Sequence, residues 1–544
     1  MEKKLSFKEF SASLIMFFTL AFMLFIYEPI VAYSSNVNDY WFNFKTLVLN
    51  NLLIFIGVLL SFSLLSFIIY FVSKKLKKEI IYKIYLMIVF IVFIATYIQG
   101  NYLAGSLPTL DGSPIIWSDY TKQSLISIGM WLVLIVINIV LYKKLSKEYT
   151  SIVKYVSLAV FVMLSVSLVS ILLTNKEIYV EKGSYTSTNL NVNNLSKNKN
   201  FLILLTDCVD QKDFTEVIKS TKSENVFENF TYYPDTLSTY GFTRDSVPYI
   251  FSGIWYEAKT TYAEHYLYAF DNSKLFHTLK DKNYDLNIYD EELWIFNNDT
   301  YDIKNVKKIN SNIKFIPFIN QELKYILFKY LPFQLKRFSK IETLDYSLCK
   351  KEIDKNTDNR VFTWLNMVDY ELINDVTLQD NNYFQFLHIE GGHYPFNLNK
   401  DMESIENGTY HDKLEATITF IDKYLKRIKE SGQYDNTAII ILSDHGFNGY
   451  EHVGRQNPIL FIKGFNEKHD LKVSDKKVSF EDLNEIYMDL LDGKQSNEML
   501  KNIQKNRVRR YLYYKDYDKM SEQLLDGHAW ETDKLKNTGK KYER

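Results

Sequence analysis

Cysteine is nearly absent: Cys208 and Cys349 are the only two in 544 residues. Two thiols cannot form the disulfide framework of a small secreted domain; at most they make one bridge, if both lie outside the cell. Cys208 follows an apolar run and reads instead as a small core residue beside a site. An excess of either charge is also missing. Lys and Arg number 64 against 65 Asp and Glu, for a formal net charge of -1, and no long basic tract occurs. No nucleic-acid partner is expected from such a balance. The length predicts at least two units. The hydrophobic fraction, 47%, is that of an ordinary soluble protein. It is unevenly spread, because residues 1–174 are dominated by Leu, Ile, Val, Phe and Met.

Five apolar runs in that first stretch approach the roughly 20 residues needed to cross a bilayer. They lie near Phe10–Ala32, Leu47–Val72, Ile80–Ile98, Leu125–Leu141 and Val153–Leu173. The first lacks a small-residue cleavage site and is followed by four more, so it is read as a span and not as a signal peptide. Lys3, Lys4 and Lys8 precede the first run, and Lys74, Lys75, Lys77 and Lys78 follow the second. Lys143, Lys144 and Lys147 separate the fourth from the fifth. The intervening loops carry little positive charge. The positive-inside rule therefore predicts a cytoplasmic N-terminus, and five spans deliver the rest of the chain to the extracellular or periplasmic side. Glu28, next to Pro29, is either an intramembrane functional acid or a hydrated residue at the outer interface, and its place near the span end favours the second. Turns at Gly105–Pro108 and Asp111–Pro114 suggest a loop over a lipid-facing entrance.

Residues 175–200 read as a linker, with Asn, Ser and Lys concentrated over Tyr185–Asn200, and 201–544 as one exported domain. Phe201–Leu205 is a strand buried on both faces, ending at Thr206-Asp207. Tyr383–Ile389 runs into Glu390-Gly391-Gly392-His393, and Thr437–Leu442 into Ser443-Asp444-His445-Gly446. Between them Ile418, Ile421, Leu425 and Ile428 form one face of a helix ending at Gly432. Strand, helix, strand predicts a mostly parallel α/β sheet, whose ligands bind beyond the carboxyl ends of the strands. Asp207, Asp444 and His445 gathered there would suit a divalent cation, Zn2+ or Mn2+. Singly, each has an ordinary alternative: Asp207 as a helix cap, Asp-His-Gly as a turn, His452 as a solvated loop residue. Thr243 stands just ahead of a short helix beginning near Val247. There it either caps the helix or presents a hydroxyl where backbone N–H groups bind phosphate or sulfate oxygens. After Gly464, Leu483–Leu491 reads as a helix and Tyr511–Tyr514 as an edge strand.

Together these residues resemble the sulfatase-like branch of the alkaline phosphatase superfamily, and within it the membrane-anchored lipoteichoic acid synthases and lipid A phosphoethanolamine transferases. The motifs that carry the likeness are Leu205-Thr206-Asp207, Thr243 five residues before Pro248, Gly392-His393, Ser443-Asp444-His445-Gly446 and His452. The resemblance implies five membrane helices followed by an alkaline phosphatase-like catalytic domain. It implies Thr243 as nucleophile and metal contact, with Asp207, Asp444 and His445 as metal ligands. His393 and His452 then contact the phosphoryl group or a second metal. The implied reaction moves a phospho-headgroup from a membrane phospholipid through a threonine intermediate to a glycan or glycolipid. A hydrolase using water as acceptor and a non-catalytic lipid sensor are the alternatives. Three departures stand out. No Cys/Ser-x-Pro-x-Arg segment supports formylglycine chemistry, the disulfides of the lipid A enzymes are missing, and Arg244 follows Thr243 where a smaller residue is usual.

Overall fold

The computed structural model describes residues 7–37, 40–108, 110, 115–180, 185–290, 300–308, 313–341, 346–349, 362, 367, 375–449, 454–501, 503, 506–516 and 519–543. Lys3, Lys4, Asp111–Pro114 and His452 lie outside them. The chain divides into two units, Met1–Lys182 with Ser311–Lys351, and Gly183–Asn310 with Glu352–Arg544. The sequence anticipates one continuous domain after residue 200. The second unit is instead interrupted by a segment that packs with the first.

The first unit holds five helices long and apolar enough to cross a membrane: Phe7–Ser35, Phe44–Lys75, Glu79–Tyr102, Trp117–Lys144 and Tyr149–Thr174. They cover the five expected runs, each extended at its ends. The first is the most enclosed by its neighbours. It is tied to the others by hydroxyls: Ser13 pairs with Tyr82 at 2.7 Å, and Thr19 donates to the Ser157 carbonyl at 3.2 Å. The remaining helices leave many Leu, Ile and Val side chains uncovered, among them Leu60, Leu132 and Val166. That is the surface expected where lipid is the solvent. In the first span a π-helical turn, Met23–Tyr27, precedes Pro29, whose ring nitrogen has no proton to give the helix. Glu28 sits at that junction and is not hydrated. It is fully buried and receives Lys329 Nζ at 2.5 Å, Tyr325 Oη at 2.8 Å and Tyr330 Oη at 2.7 Å. The sequence could not anticipate partners some 300 residues away.

The second unit is built on a seven-stranded sheet. Its strands are β1 (Asn200–Thr206), β2 (Thr231–Tyr232), β3 (Tyr284–Tyr289), β4 (Asn382–Ile389), β5 (Thr437–Leu442), β6 (Leu460–Lys463) and β7 (Lys472–Val473). The spatial order is β7-β2-β6-β5-β1-β4-β3. Strands β5, β1, β4 and β3 run parallel, while β6 is antiparallel to both of its neighbours. β1 and β5 are buried at every position, which is why they read as unbroken apolar runs. Helix α1 (Gln211–Thr221) starts at Asp210, whose side chain caps Lys212 N. Helices α2 (Thr243–Ser252), α3 (Phe315–Tyr330, in the first unit) and α4 (Tyr410–Glu430) follow in the chain. α4 turns Leu414, Ile418, Ile421, Leu425 and Ile428 onto the sheet core.

Tyr185–Asn200 is not a linker. Tyr185–Ser187 pairs with Val306–Lys308, and Asn194–Ser196 with Thr377–Gln379. Its polar side chains serve as internal partners: Ser187 Oγ donates to the Ile288 carbonyl at 2.7 Å, and Asn200 Oδ1 accepts from Ser196 N at 2.6 Å. Composition alone does not separate such a segment from a solvated one. Leu483–Leu491 is a helix as expected. Tyr511–Tyr514 lies within Arg509–Asp516, an outer strand of a three-stranded antiparallel sheet formed by the tail.

Lys463, at the end of β6, is fully buried and donates to the carbonyls of Tyr434, Thr437 and Gly464. Burial, only partly offset by Glu467 and Asp435, lowers its pKa to about 8. The unfolded chain therefore holds this proton to higher pH than the folded one, and folding gains stability as pH rises from about 8 to the ordinary lysine value. In thermal unfolding of the full chain in nanodiscs, wild type should gain on Lys463→Met across that window, by about 3 kcal/mol at most. A difference that is flat with pH would contradict the burial argument.

Candidate active site

The parallel register brings three strand ends level. Leu205 pairs with both Leu442 and His388, and Thr206 with Ile389. Asp207, Glu390 and Asp444 therefore leave the sheet side by side. Asp207 N donates to the Ile389 carbonyl at 3.0 Å, and the Asp207 carbonyl accepts from Gly392 N at 2.8 Å. Gly391 fits between them because its φ is +50° and a Cβ there would sit 2.6 Å from the Asp207 oxygen. Ser443 closes the other side: its Oγ accepts from Val209 N at 2.8 Å and donates to the His445 carbonyl at 2.7 Å.

Asp207, Asp444 and His445 are all buried, at 4%, 0% and 3% exposure, while Thr243 and His393 remain partly accessible. Thr243 Oγ1 donates to Asp207 Oδ1 at 3.4 Å. It is the first residue of α2; the cap position belongs to Phe242, and no side chain makes a capping hydrogen bond. The helix begins four residues earlier than the sequence suggested. Ser246, in the first turn of α2, donates to the Asp444 carbonyl at 2.7 Å. The cap reading of Thr243 thus lacks its hydrogen bond.

Burial raises the Asp444 carboxyl, and the Asp207 charge raises it further. Burial acts the same way on Asp207, but His393, His388 and His445 overcome it and hold that carboxyl below the usual carboxylate range. Asp444 Oδ1 accepts from Cys208 N at 3.1 Å. Its Oδ2, completely buried, makes no hydrogen bond among the described residues. This oxygen, 3.3 Å from His445 Nε2 and beside a second buried carboxylate, fits a bound cation. His445 Nδ1 donates to the Gly446 carbonyl at 2.7 Å, which leaves Nε2 with its lone pair. The atoms of Asp207, Cys208 and His445 lie within 4.8 Å of one another, close enough to share an ion. Cys208 thus joins the donor set, where the sequence offered it only as a core residue; both cysteines are free thiols. His393 Nδ1 likewise donates to the Tyr394 carbonyl at 2.6 Å.

Further residues were not legible beforehand. His388 stands on β4 with Nδ1 3.2 Å from Asp290 Oδ2 and Nε2 3.8 Å from Asp207 Oδ2. Burial opposes its charge, but these two carboxylates raise its pKa well above the ordinary value. Alternation along a buried strand gives no hint of this. Glu390 forms a buried pair with Lys413 of α4 at 2.8 Å. Arg455 stacks on Phe242, 5.6 Å from the ring centre, at the N-terminus of α2. Arg244 lies 5.1 Å over the Tyr262 ring, while Tyr262 Oη donates to the Arg244 carbonyl. The tail braces this region, since Leu512 N donates to the Thr239 carbonyl at 2.9 Å, four residues before Thr243.

Removing one partner of a buried charge pair leaves the other uncompensated. Asp290→Asn should therefore destabilise the protein by about 3 kcal/mol. Asp380→Asn, which breaks the exposed pair with Lys197, should change stability by less than about 1 kcal/mol. Equal thermal shifts for the two variants would show that His388 is not held by its carboxylates.

None of the curated proteins compared with the chain matches it. Solved structures similar to it include the C-terminal periplasmic domain of EcEptC from Escherichia coli, at 12% identity and a TM-score of 0.32, over 63% of this chain and 95% of that one. Another is a protein in the alkaline phosphatase superfamily from Vibrio parahaemolyticus, at 12% identity and a TM-score of 0.36, over 65% of this chain and 85% of that one. The family model described as Sulfatase matches residues 199–483, a span that contains β1 through α2, the Gly391 turn and the Asp444-His445 pair. The chain belongs to the sulfatase family.

Proposed function

We propose that this protein is a membrane-anchored, metal-dependent transferase that moves a phospho-headgroup from a membrane phospholipid, through Thr243, to a hydroxyl of a cell-envelope glycan or glycolipid. The observation that carries this reading is the placement of Thr243. Its hydroxyl is partly accessible, points to a buried carboxylate and caps no helix. Asp207, Asp444 and His445 would hold the ion, and Cys208 as a fourth donor favours Zn2+ over Mn2+ because a thiolate is a soft ligand. Such an ion supplies Lewis acidity and lowers the pKa of a bound hydroxyl.

The residues themselves divide the remaining work. Thr243 Oγ loses its proton to water and forms a bond to phosphorus, while the bond from phosphorus to the diacylglycerol oxygen breaks. His393 Nε2 gives a proton to that leaving oxygen, then takes one from the acceptor hydroxyl as it displaces Thr243, whose Oγ regains its proton from water. Phosphoryl oxygens would meet the first backbone N–H groups of α2, with Arg455 beside them. His452 remains a second candidate for charge stabilisation. A lipid donor gives the five spans a purpose, since diacylglycerol does not leave the bilayer readily. The lysine bias supports a cytoplasmic N-terminus and a catalytic unit on the extracellular or periplasmic side.

The test uses the full chain in nanodiscs containing labelled phospholipid. Thr243→Ala should abolish diacylglycerol release with metal content unchanged. Asp444→Ala should lose the metal as well, and His393→Ala should keep the metal while slowing release by about 10²-fold. Full activity in Thr243→Ala would overturn the reading. Labelled headgroup released to water at the same rate with and without glycan would make the enzyme a hydrolase.

A further inference from the structure

Helix α3 buries Phe318, Ile326 and Phe328 and still leaves further apolar side chains uncovered. The residues it turns onto the first unit include Glu322, Tyr325 and Lys329. Lys329 and Tyr325 meet Glu28, and Glu322 Oε1 accepts from Tyr346 Oη at 2.5 Å. The opposite stripe carries Ile316, Leu323 and Leu327, exposed by 74%, 38% and 40%, with the exposed Asn320 between the first two. The 3-10 turns that follow, Phe333–Ser339, continue it with Leu335 and Phe338 uncovered. Their own polar atoms are satisfied inward. Lys336 Nζ caps the carbonyl end of α3 at Phe328 and Lys329, and Phe333 N donates to Ser127 Oγ at 3.2 Å.

Among the described residues, contacts of this segment gather at one end of the bundle: Glu28 near the close of the first span, Gly100 at the close of the third, Ser124 and Ser127 at the start of the fourth. Tyr330 lies so close to Gly100 that a Cβ there would be 2.0 Å from its ring. Lys74–Lys78 and Lys143–Lys147 mark the other end. On this end the fourth span also exposes Leu125 and Ile126, so the uncovered stripe of α3 continues an apolar surface that the spans already present. Arg337 and Lys340, both exposed, follow the stripe, where headgroup phosphates would neutralise them.

We propose that α3 and the turns after it form a monotopic membrane element. Its Ile316–Leu323–Leu327 stripe and Phe338 sink among acyl chains, Arg337 and Lys340 lie at the phosphate level, and the Glu28 cluster holds its polar face to the bundle. The occupant of the stripe is the lipid leaflet at the end of the bundle away from the lysine clusters. This rests on the five helices crossing a bilayer and is independent of the transfer chemistry. The sulfatase-family unit is thereby interrupted, between the strand that leads to Asp290 and the strand that bears His388, by a lipid-seated insertion.

Nitroxide labels test it in the full chain in nanodiscs of phosphatidylglycerol and phosphatidylcholine. Both native cysteines are buried, so Ile316→Cys, Leu323→Cys, Leu327→Cys and Lys340→Cys can each carry one label, with Leu132→Cys in the fourth span as the lipid-facing reference. The inference requires labels at 323 and 327 to collide with oxygen and to be shielded from a water-soluble nickel chelate, several-fold more than the label at 340. Free access of the chelate to 323 and 327, with Leu132→Cys still shielded, overturns it while leaving the spans intact. Dipolar broadening between labels of two chains would show that a second copy covers the stripe, and would overturn it equally.

Discussion

Two carboxylates taken out of water at neighbouring strand ends are the constraint around which the second unit is arranged. Parallel pairing of β1 with β5 and β4 leaves no alternative to placing Asp207 and Asp444 together, because strands buried on both faces can offer polar groups only beyond their ends. Like charges in such a place repel, and each pays a desolvation cost. Cationic partners must follow. His388 is such a partner to Asp207, while Asp444 keeps one oxygen without a hydrogen bond among the described residues. That residual acceptor, with Cys208 and His445 alongside, makes a donor set that would suit a divalent ion.

The rest of the unit serves this crevice. Gly391 lets the chain after β4 pass against the backbone of Asp207, which sets His393 at the rim. Ser246 anchors the first turn of α2, which begins at Thr243, to the carbonyl of Asp444. The tail adds a bond to Thr239 from outside the sheet. Polar groups thus fix the geometry where packing alone would leave it loose.

The sequence revealed most where burial is uniform. Strands buried on both faces appear as runs, spans as longer runs, and the acids at their ends stand out against them. Thr243 was visible for the residues around it, though the start of its helix was misplaced, because Arg244, Asp245 and Ser246 carry no helical period. What stayed hidden depends on partners distant in the chain. Glu28 reads as a hydrated end residue, since Lys329 and Tyr325 arrive from some 300 residues away in the chain. His388 is concealed within a strand, and Tyr185–Asn200 reads as a linker because Asn and Ser satisfy buried backbone as readily as they meet water.

The central claim is that Thr243 forms a covalent bond to phosphorus. Intact-protein mass spectrometry after brief exposure of the full chain to a phosphodiester donor measures this directly. One headgroup-phosphate adduct, mapping to the Tyr240–Tyr249 peptide and discharged by an acceptor hydroxyl, is the predicted result. Turnover without an adduct, or an adduct on any other residue, would contradict it.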